Sequence, residues 1–206
     1  MKLALFDFDE TLIHQNSLGY LFKKVTGKRF IFQKALSLPF KIDTYRHGIK
    51  KSIKRQLYKK CLAGVSEKEL YEAGRLSSGK LKQIDYMVSR LYELHKQNYI
   101  IWIVTATPTL FIKGIIEQWD WPVDRIIGTE LYQENTIYTG DFDVECMKEE
   151  KVKRINSLID KEKLELTIEF AFGNLPVDIP MMMLASKSYA VDGNNIKVYE
   201  SNQGAH

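Results

Sequence analysis

The sequence predicts an α/β fold, a parallel sheet flanked by helices with a small all-helical domain inserted after the first strand. Three observations predict it. In the second half of the chain, apolar segments of strand length alternate with helical patterns, the order that builds a parallel sheet covered on both faces. The run "YIIWIV" at 99–104 is apolar throughout, as a strand buried on both sides requires. Between the first strand and that run, only helical periodicity is present.

The elements follow in order. Residues 2–6 are a short apolar strand ending at Asp7 and Asp9. Leu18, Leu21, Phe22 and Val25 share one helical face, and Tyr45, Ile49, Ile53, Leu57 and Cys61 recur every fourth residue among lysines and arginines. Ser66 and Glu69 form a capping box that opens the next helix. Leu81, Ile84, Val88, Leu91 and His95 carry a helical face up to the strand at 99–104. Pro108 is placed to open a helix lined by Phe111, Ile112, Ile115, Ile116 and Trp119, with Thr107 as its cap. "RIIGTEL" (125–131) reads as a strand and "YQENTIYTG" (132–140) as a hairpin turning at Glu134-Asn135. A helix from about Glu149 presents Val152, Ile155, Leu158 and Ile159. The strand "TIEFAFG" (167–173), a short helix in 176–185 and a last strand at 188–191 complete the pattern. The sheet is therefore Rossmann-like, with 1–14 and 81–206 as a catalytic core and 15–80 as a helical cap over its carboxyl edge, where open α/β sheets bind ligands.

Charge divides along the same boundary. Residues 15–80 carry 16 Lys+Arg against 4 Asp+Glu, whereas the remainder carries 14 against 22. A basic module is expected either to face an anionic partner or to carry solvated helix faces. Two cysteines make no disulfide framework, no stretch reaches the length of a membrane span, and "MKLALFD" is too short an apolar run for a signal peptide. A cytoplasmic protein is expected. No nucleic-acid-binding module is recognisable, so a nucleic-acid partner is not expected.

The residues able to do chemistry stand after the predicted strands. They are Asp7, Asp9 and Thr11 after the first, Thr105 and Ala106 after the second, a lysine near 151, and Asn174 with Asp178 after "TIEFAFG". No GxxxxGK[ST] loop is present, and none of the four histidines follows a core strand. Paired carboxylates with hydroxyl and ammonium donors suit a divalent cation and a phosphoryl group. An aspartate can attack phosphorus while a neighbouring carboxylic acid protonates the leaving alcohol. Lys148 and Lys153 compete with Lys151 on spacing alone, and Asp178 could equally serve only the start of a short helix.

The order DxDxT, Thr, Lys, G-N-x-x-x-D resembles the haloacid dehalogenase-like (HAD) hydrolase superfamily. The helical insertion, "VTATP" and "CMKEEKVKRI" resemble its phosphoserine-phosphatase-like branch over nearly the whole chain. The resemblance implies a Mg²⁺-dependent phosphatase acting on a small phosphomonoester through an aspartyl-phosphate. It implies Asp7 as nucleophile, Asp9 as general acid then base, and Thr105 and Lys151 as phosphoryl contacts. It places Mg²⁺ on Asp7, Asp9, Asn174 and Asp178. Thr11, Ala106 and Arg46 are candidate substrate contacts.

Two positions depart from the family pattern. Asn174 stands where many relatives have an aspartate, which removes one negative charge and implies weaker Mg²⁺ binding. Asn16 stands where phosphoserine phosphatases place a glutamate that reads the serine ammonium, so phosphoserine itself is a poor expectation. The segment "KRFIFQKALSLPFKI" (28–42) reads as a cap helix, or else as a peripheral contact with an anionic membrane that would make the substrate a lipid phosphate. A catalytically weak phospholigand-binding protein is the remaining alternative.

Overall fold

The structure, a computed structural model, describes residues 1–26 and 47–200, the side chains of 47–52 apart. Arg46 and the 28–42 segment lie outside the described residues. The core is a six-stranded sheet in the order β3-β2-β1-β6-β7-β8, formed by β1 (Lys2–Phe6), β2 (Ile100–Pro108), β3 (Arg125–Thr129), β6 (Thr167–Gly173), β7 (Lys187–Asp192) and β8 (Asn195–Val198). The first five strands pair in parallel, and β8 joins β7 antiparallel at the edge. Strands β4 (Gln133–Glu134) and β5 (Ile137–Tyr138) form a separate hairpin.

Strand alternation divides the interior into two layers. Ala4 and Phe6 of β1 and Ile101 and Ile103 of β2 face one layer, while Leu3, Leu5, Trp102 and Val104 face the other. The first layer is covered by α1 (Ser17–Thr26), α2 (His47–Leu62), α3 (Glu67–Ser78), α4 (Asp85–Lys96) and α5 (Thr109–Trp119). The second is covered by α6 (Glu149–Glu162) and α7 (Ile179–Met182) through Ile155, Met181 and Met182. Phe6, Phe172 and Tyr189 occupy matching positions on three adjacent strands. Their rings stack with centroids 4.6 and 5.1 Å apart, an aromatic row that ties the central strands together just below the carboxyl edge.

Helix α3 begins with the capping box, Ser66 Oγ accepting from the Glu69 N–H and Glu69 accepting from the Ser66 N–H. It then meets α5 at backbone contact. A Cβ on Gly74 would fall 2.0 Å from the Phe111 carbonyl oxygen, and one on Gly114 would fall 2.2 Å from that of Tyr71. Two glycines thus let a helix of the 15–80 segment lie directly against a helix of the sheet layer.

Several elements differ from expectation. On α2 the buried residues are Tyr58, Cys61 and Leu62 while Ile53 is exposed, because four-residue steps overshoot a turn of about 3.6 residues and the stripe drifts around the helix. On α4 the same drift leaves Leu94 buried and His95 exposed. The hairpin turns at Asn135-Thr136, with φ of 50° and 69°, the left-handed pair that a two-residue turn requires. Strand β8 has every residue exposed and so lacked any burial pattern to reveal it. Helix α7 is a single turn, shorter than the 176–185 window.

Candidate active site

Strand β1 ends where the Asp7 N–H bonds the Phe172 carbonyl at 2.9 Å, so Asp7 emerges at the carboxyl edge between β2 and β6. Glu10 then takes a left-handed conformation (φ 60°), and the chain folds back so that the Leu12 N–H bonds the Phe8 carbonyl at 2.9 Å. This turn brings the Thr11 hydroxyl to Asp7 Oδ2, to which it donates at 3.1 Å. A local strain of this kind beside paired carboxylates is characteristic of functional sites.

Lys151 lies in the first turn of α6 and is 1% exposed, unlike Lys153, which faces solvent. A cation at a helix N-terminus is disfavoured by the helix dipole. Lys151 is held there by two carboxylates: its Nζ donates to Asp7 Oδ1 and to Asp178 Oδ1, each at 2.6 Å. Asp178 in turn accepts from the Asn174 N–H at 3.0 Å through Oδ2, so both its oxygens are engaged. Gly173 makes room for it, since a Cβ there would meet Asp178 Cβ at 2.5 Å. Burial depresses the Lys151 ammonium, but the charges of Asp7 and Asp178 outweigh it and hold the group above its ordinary value. Asp7 is pushed up to about 7, first by burial and then by the Asp178 charge, with Lys151 opposing.

Asp9 is held separately. Its Oδ1 accepts from the Ser17 N–H at 2.7 Å, where it serves the open amino end of α1, and its Oδ2 accepts from the Thr107 hydroxyl at 2.9 Å. Ser17 Oγ and Thr107 Oγ1 are 3.3 Å apart. Burial raises Asp9 above the usual carboxylate range, partly offset by these donors. Asn16 accepts from the Leu18 N–H at 3.2 Å and completes the α1 terminus.

Among the candidates, then, the structure gathers Asp7, Thr11, Lys151 and Asp178 in one hydrogen-bonded network, with Asp9 and Asn174 beside it. Thr105 is buried and accepts from the Thr107 N–H at 3.2 Å. The Ala106 carbonyl accepts from the Thr129 hydroxyl at 2.7 Å. Thr107 is not the cap of α5: Pro108 occupies that position without a side-chain bond, and the Thr107 hydroxyl goes to Asp9 instead. Ser17 and Thr107 are site residues that sequence reasoning missed. Ser17 lies eight residues and Thr107 ninety-eight residues from Asp9, neither at a spacing that the strand-end motif marks.

The donor set fits a hard divalent cation. Two buried carboxylates, Asp7 and Asp178, share the ammonium of Lys151, and the half-buried Asp9 stands beside them, so a phosphoryl group would add negative charge to an acidic site. The Asn174 amide lies 3.4 Å from the Asp9 main-chain carbonyl oxygen and 3.5 Å from Glu10 Oε2. A half-turn of that amide presents its oxygen beside the carbonyl, and Asp7 has lone pairs beyond those used by Lys151 and Thr11. Carboxylate, carbonyl and amide oxygens with room for water are the ligands Mg²⁺ takes. Among the described residues, no group of three or more His, Cys, Asp or Glu side chains is arranged to hold a metal.

A parallel sheet that brings paired carboxylates from its first strand to a lysine–aspartate couple defines a hydrolase site of the α/β class. Residues 4–183 match the haloacid dehalogenase-like hydrolase family, and the chain belongs to it. No curated protein sequence matches the chain. Among solved structures, it is similar to a protein of unknown function from Bordetella pertussis Tohama I, with a TM-score of 0.70 and 20% identity over 92% of this chain and 89% of that one. It is similar to phosphoserine phosphatase in apo form, with a TM-score of 0.61 and 18% identity over 91% and 84% of the two chains. A phospho-aspartyl intermediate analogue of phosphoserine phosphatase matches with a TM-score of 0.57 and 18% identity over 92% and 85%. At these identities the likeness is one of fold. Among the described residues, no helix is long and apolar enough to cross a membrane.

Proposed function

We propose that the protein is a Mg²⁺-dependent phosphatase that hydrolyses a small phosphomonoester through an aspartyl-phosphate on Asp7. The observation that carries this reading is the pairing of a buried, lysine-held Asp7 with a separately held Asp9 at one sheet edge. Asp7 attacks phosphorus as the bond to the leaving oxygen breaks, and Asp9 gives its proton to that oxygen. Water then attacks the same phosphorus while the Asp9 carboxylate takes its proton, and the bond to Asp7 breaks. Asp7, the Asp9 carbonyl and Asn174 would hold Mg²⁺, which supplies charge neutralisation at the phosphoryl oxygens. Asp178 positions Lys151 and the Asn174 backbone. Residues 15–80 act as the cap over a core of 1–14 and 81–206, and α1 couples the two because its first N–H fixes Asp9.

A panel of phosphorylated amino acids, sugars, nucleotides and lipids tests the reading. Phosphate release from at least one, with Mg²⁺ and not with chelator, is expected, and its loss in Asp7→Asn. Hydrolysis of none would overturn it.

A further inference from the structure

Two buried hydroxyls from distant parts of the chain, those of Ser17 and Thr107, converge on Asp9. Strands β1 and β2 are parallel neighbours with Phe6 opposite Ile103, so the segments that follow them emerge at the same sheet edge. A threonine just before a helix ordinarily turns its hydroxyl back to the first N–H groups of that helix. Here Pro108 holds that place, and Thr107 Oγ1 donates to Asp9 Oδ2 at 2.9 Å. The Thr107 N–H is fixed in turn by Thr105 Oγ1 at 3.2 Å. From the other side, the Ser17 N–H donates to Asp9 Oδ1 at 2.7 Å, and Ser17 Oγ lies 3.3 Å from Thr107 Oγ1.

A threonine hydroxyl has one proton to give and two lone pairs to fill. When Ser17 Oγ gives its proton to Thr107 Oγ1, the Thr107 proton is committed to Asp9. A carboxyl group held on one oxygen alone turns broadly about its last bond. With a donor on each oxygen, turning breaks both bonds, so the carboxyl plane is fixed. Each oxygen keeps a further lone pair for the proton that leaves with the alcohol and later returns from water. We propose that Thr107, backed by Ser17, is a positioning residue that sets the plane of the Asp9 carboxyl for proton transfer to and from the substrate. This inference rests on the phosphatase reading, which makes Asp9 the proton carrier. Because Thr107 acts through Asp9, its loss is felt in proportion to the leaving oxygen's need for a proton.

The test compares kcat/KM on two substrates, p-nitrophenyl phosphate and the alkyl phosphate that the panel shows to be turned over fastest. Thr107→Val keeps the shape and removes the donor. On the alkyl phosphate it should lower kcat/KM about ten-fold or more, a share of the roughly 10² to 10⁴ that a placed acid contributes. On p-nitrophenyl phosphate, whose leaving group needs no proton, the loss should stay below about three-fold. Thr107→Ser, which keeps the donor, should return the alkyl phosphate to within about two-fold of the parent. In the Asp9→Asn background, Thr107→Val should cost less than about two-fold more, since residues acting as a unit are not additive. Ser17→Ala should show the same substrate pattern with a smaller loss, and decides the matter if Thr107→Val does not fold. Equal losses on both substrates, no loss, failure of serine to restore, or a full effect that persists with Asp9→Asn would each overturn the assignment. Failure of the phosphatase reading itself would appear separately, as hydrolysis of no phosphomonoester by the unmutated protein, and would overturn both.

Discussion

The two sides of the site differ in how completely their polar groups are satisfied. On the floor, at the tips of β1 and β6, Asp7, Thr11, Lys151, Asp178 and the Asn174 backbone form a closed network. On the wall formed by α2 and the 141–145 segment, the Tyr58 hydroxyl is buried without a hydrogen bond, while Glu145 is ion-paired with Lys54. The floor is preorganised before substrate arrives, as electrostatic stabilisation of a transferring phosphoryl group requires. The proposed chemistry is thus built into the sheet edge, while the helical segment is tied to the rest of the chain by the 141–145 loop it grips.

The contrast is broken most directly at the floor. Asp7→Asn should lower kcat by at least about a thousand-fold while the protein still folds, since the amide keeps the shape but not the nucleophile. Steady-state phosphate release checks this. Asp9→Asn should cost about 10² to 10⁴ in kcat on an alkyl phosphate and much less on p-nitrophenyl phosphate, whose leaving group needs no proton. Because burial raises Asp9, its proton is kept to higher pH. For the alkyl substrate, kcat/KM should fall as pH rises through that raised value, and Asp9→Asn should remove this limb.

Gly74→Ala probes the seam between the regions. Its Cβ would fall 2.0 Å from the Phe111 carbonyl, so α3 and α5 must separate. A loss of about 1–3 kcal/mol is expected, a drop of several degrees in melting temperature, with kcat little changed well below that temperature. The smallest effect belongs to Asn174→Asp. Restoring a charge should lower the Mg²⁺ concentration for half-activation by roughly a few-fold, and an unchanged metal titration would remove this side chain from the ligand set.

Much of the floor was legible in the sequence because Asp7, Thr11, Asn174 and Asp178 follow strands that periodicity reveals. Lys151 was separable from Lys148 and Lys153 only by family likeness. The structure shows the physical reason: the third residue of α6 points inward between two carboxylates. Ser17 and Thr107 stayed hidden because their task is set by Asp9, which the turn after β1 brings to the first and the sheet brings to the second. Tyr58 was read one residue out of phase, since the stripe on α2 was traced through Leu57 and Cys61 and the helix drifts past a four-residue period. Strand β8 offered no alternation, lying exposed at an edge. The excess of basic residues in 15–80 reads differently in part: Lys54, Arg55 and Lys59 hold the acidic 141–145 segment rather than standing free for an outside partner.

The central claim is that Asp7 becomes covalently phosphorylated. Rapid acid quench of the enzyme turning over a ³²P-labelled phosphomonoester, followed by peptide mapping, measures it directly. The account predicts a hydroxylamine-sensitive label on the peptide containing Asp7, absent from Asp7→Asn. Continued turnover with the label on another residue, or undiminished turnover by Asp7→Asn, would contradict it.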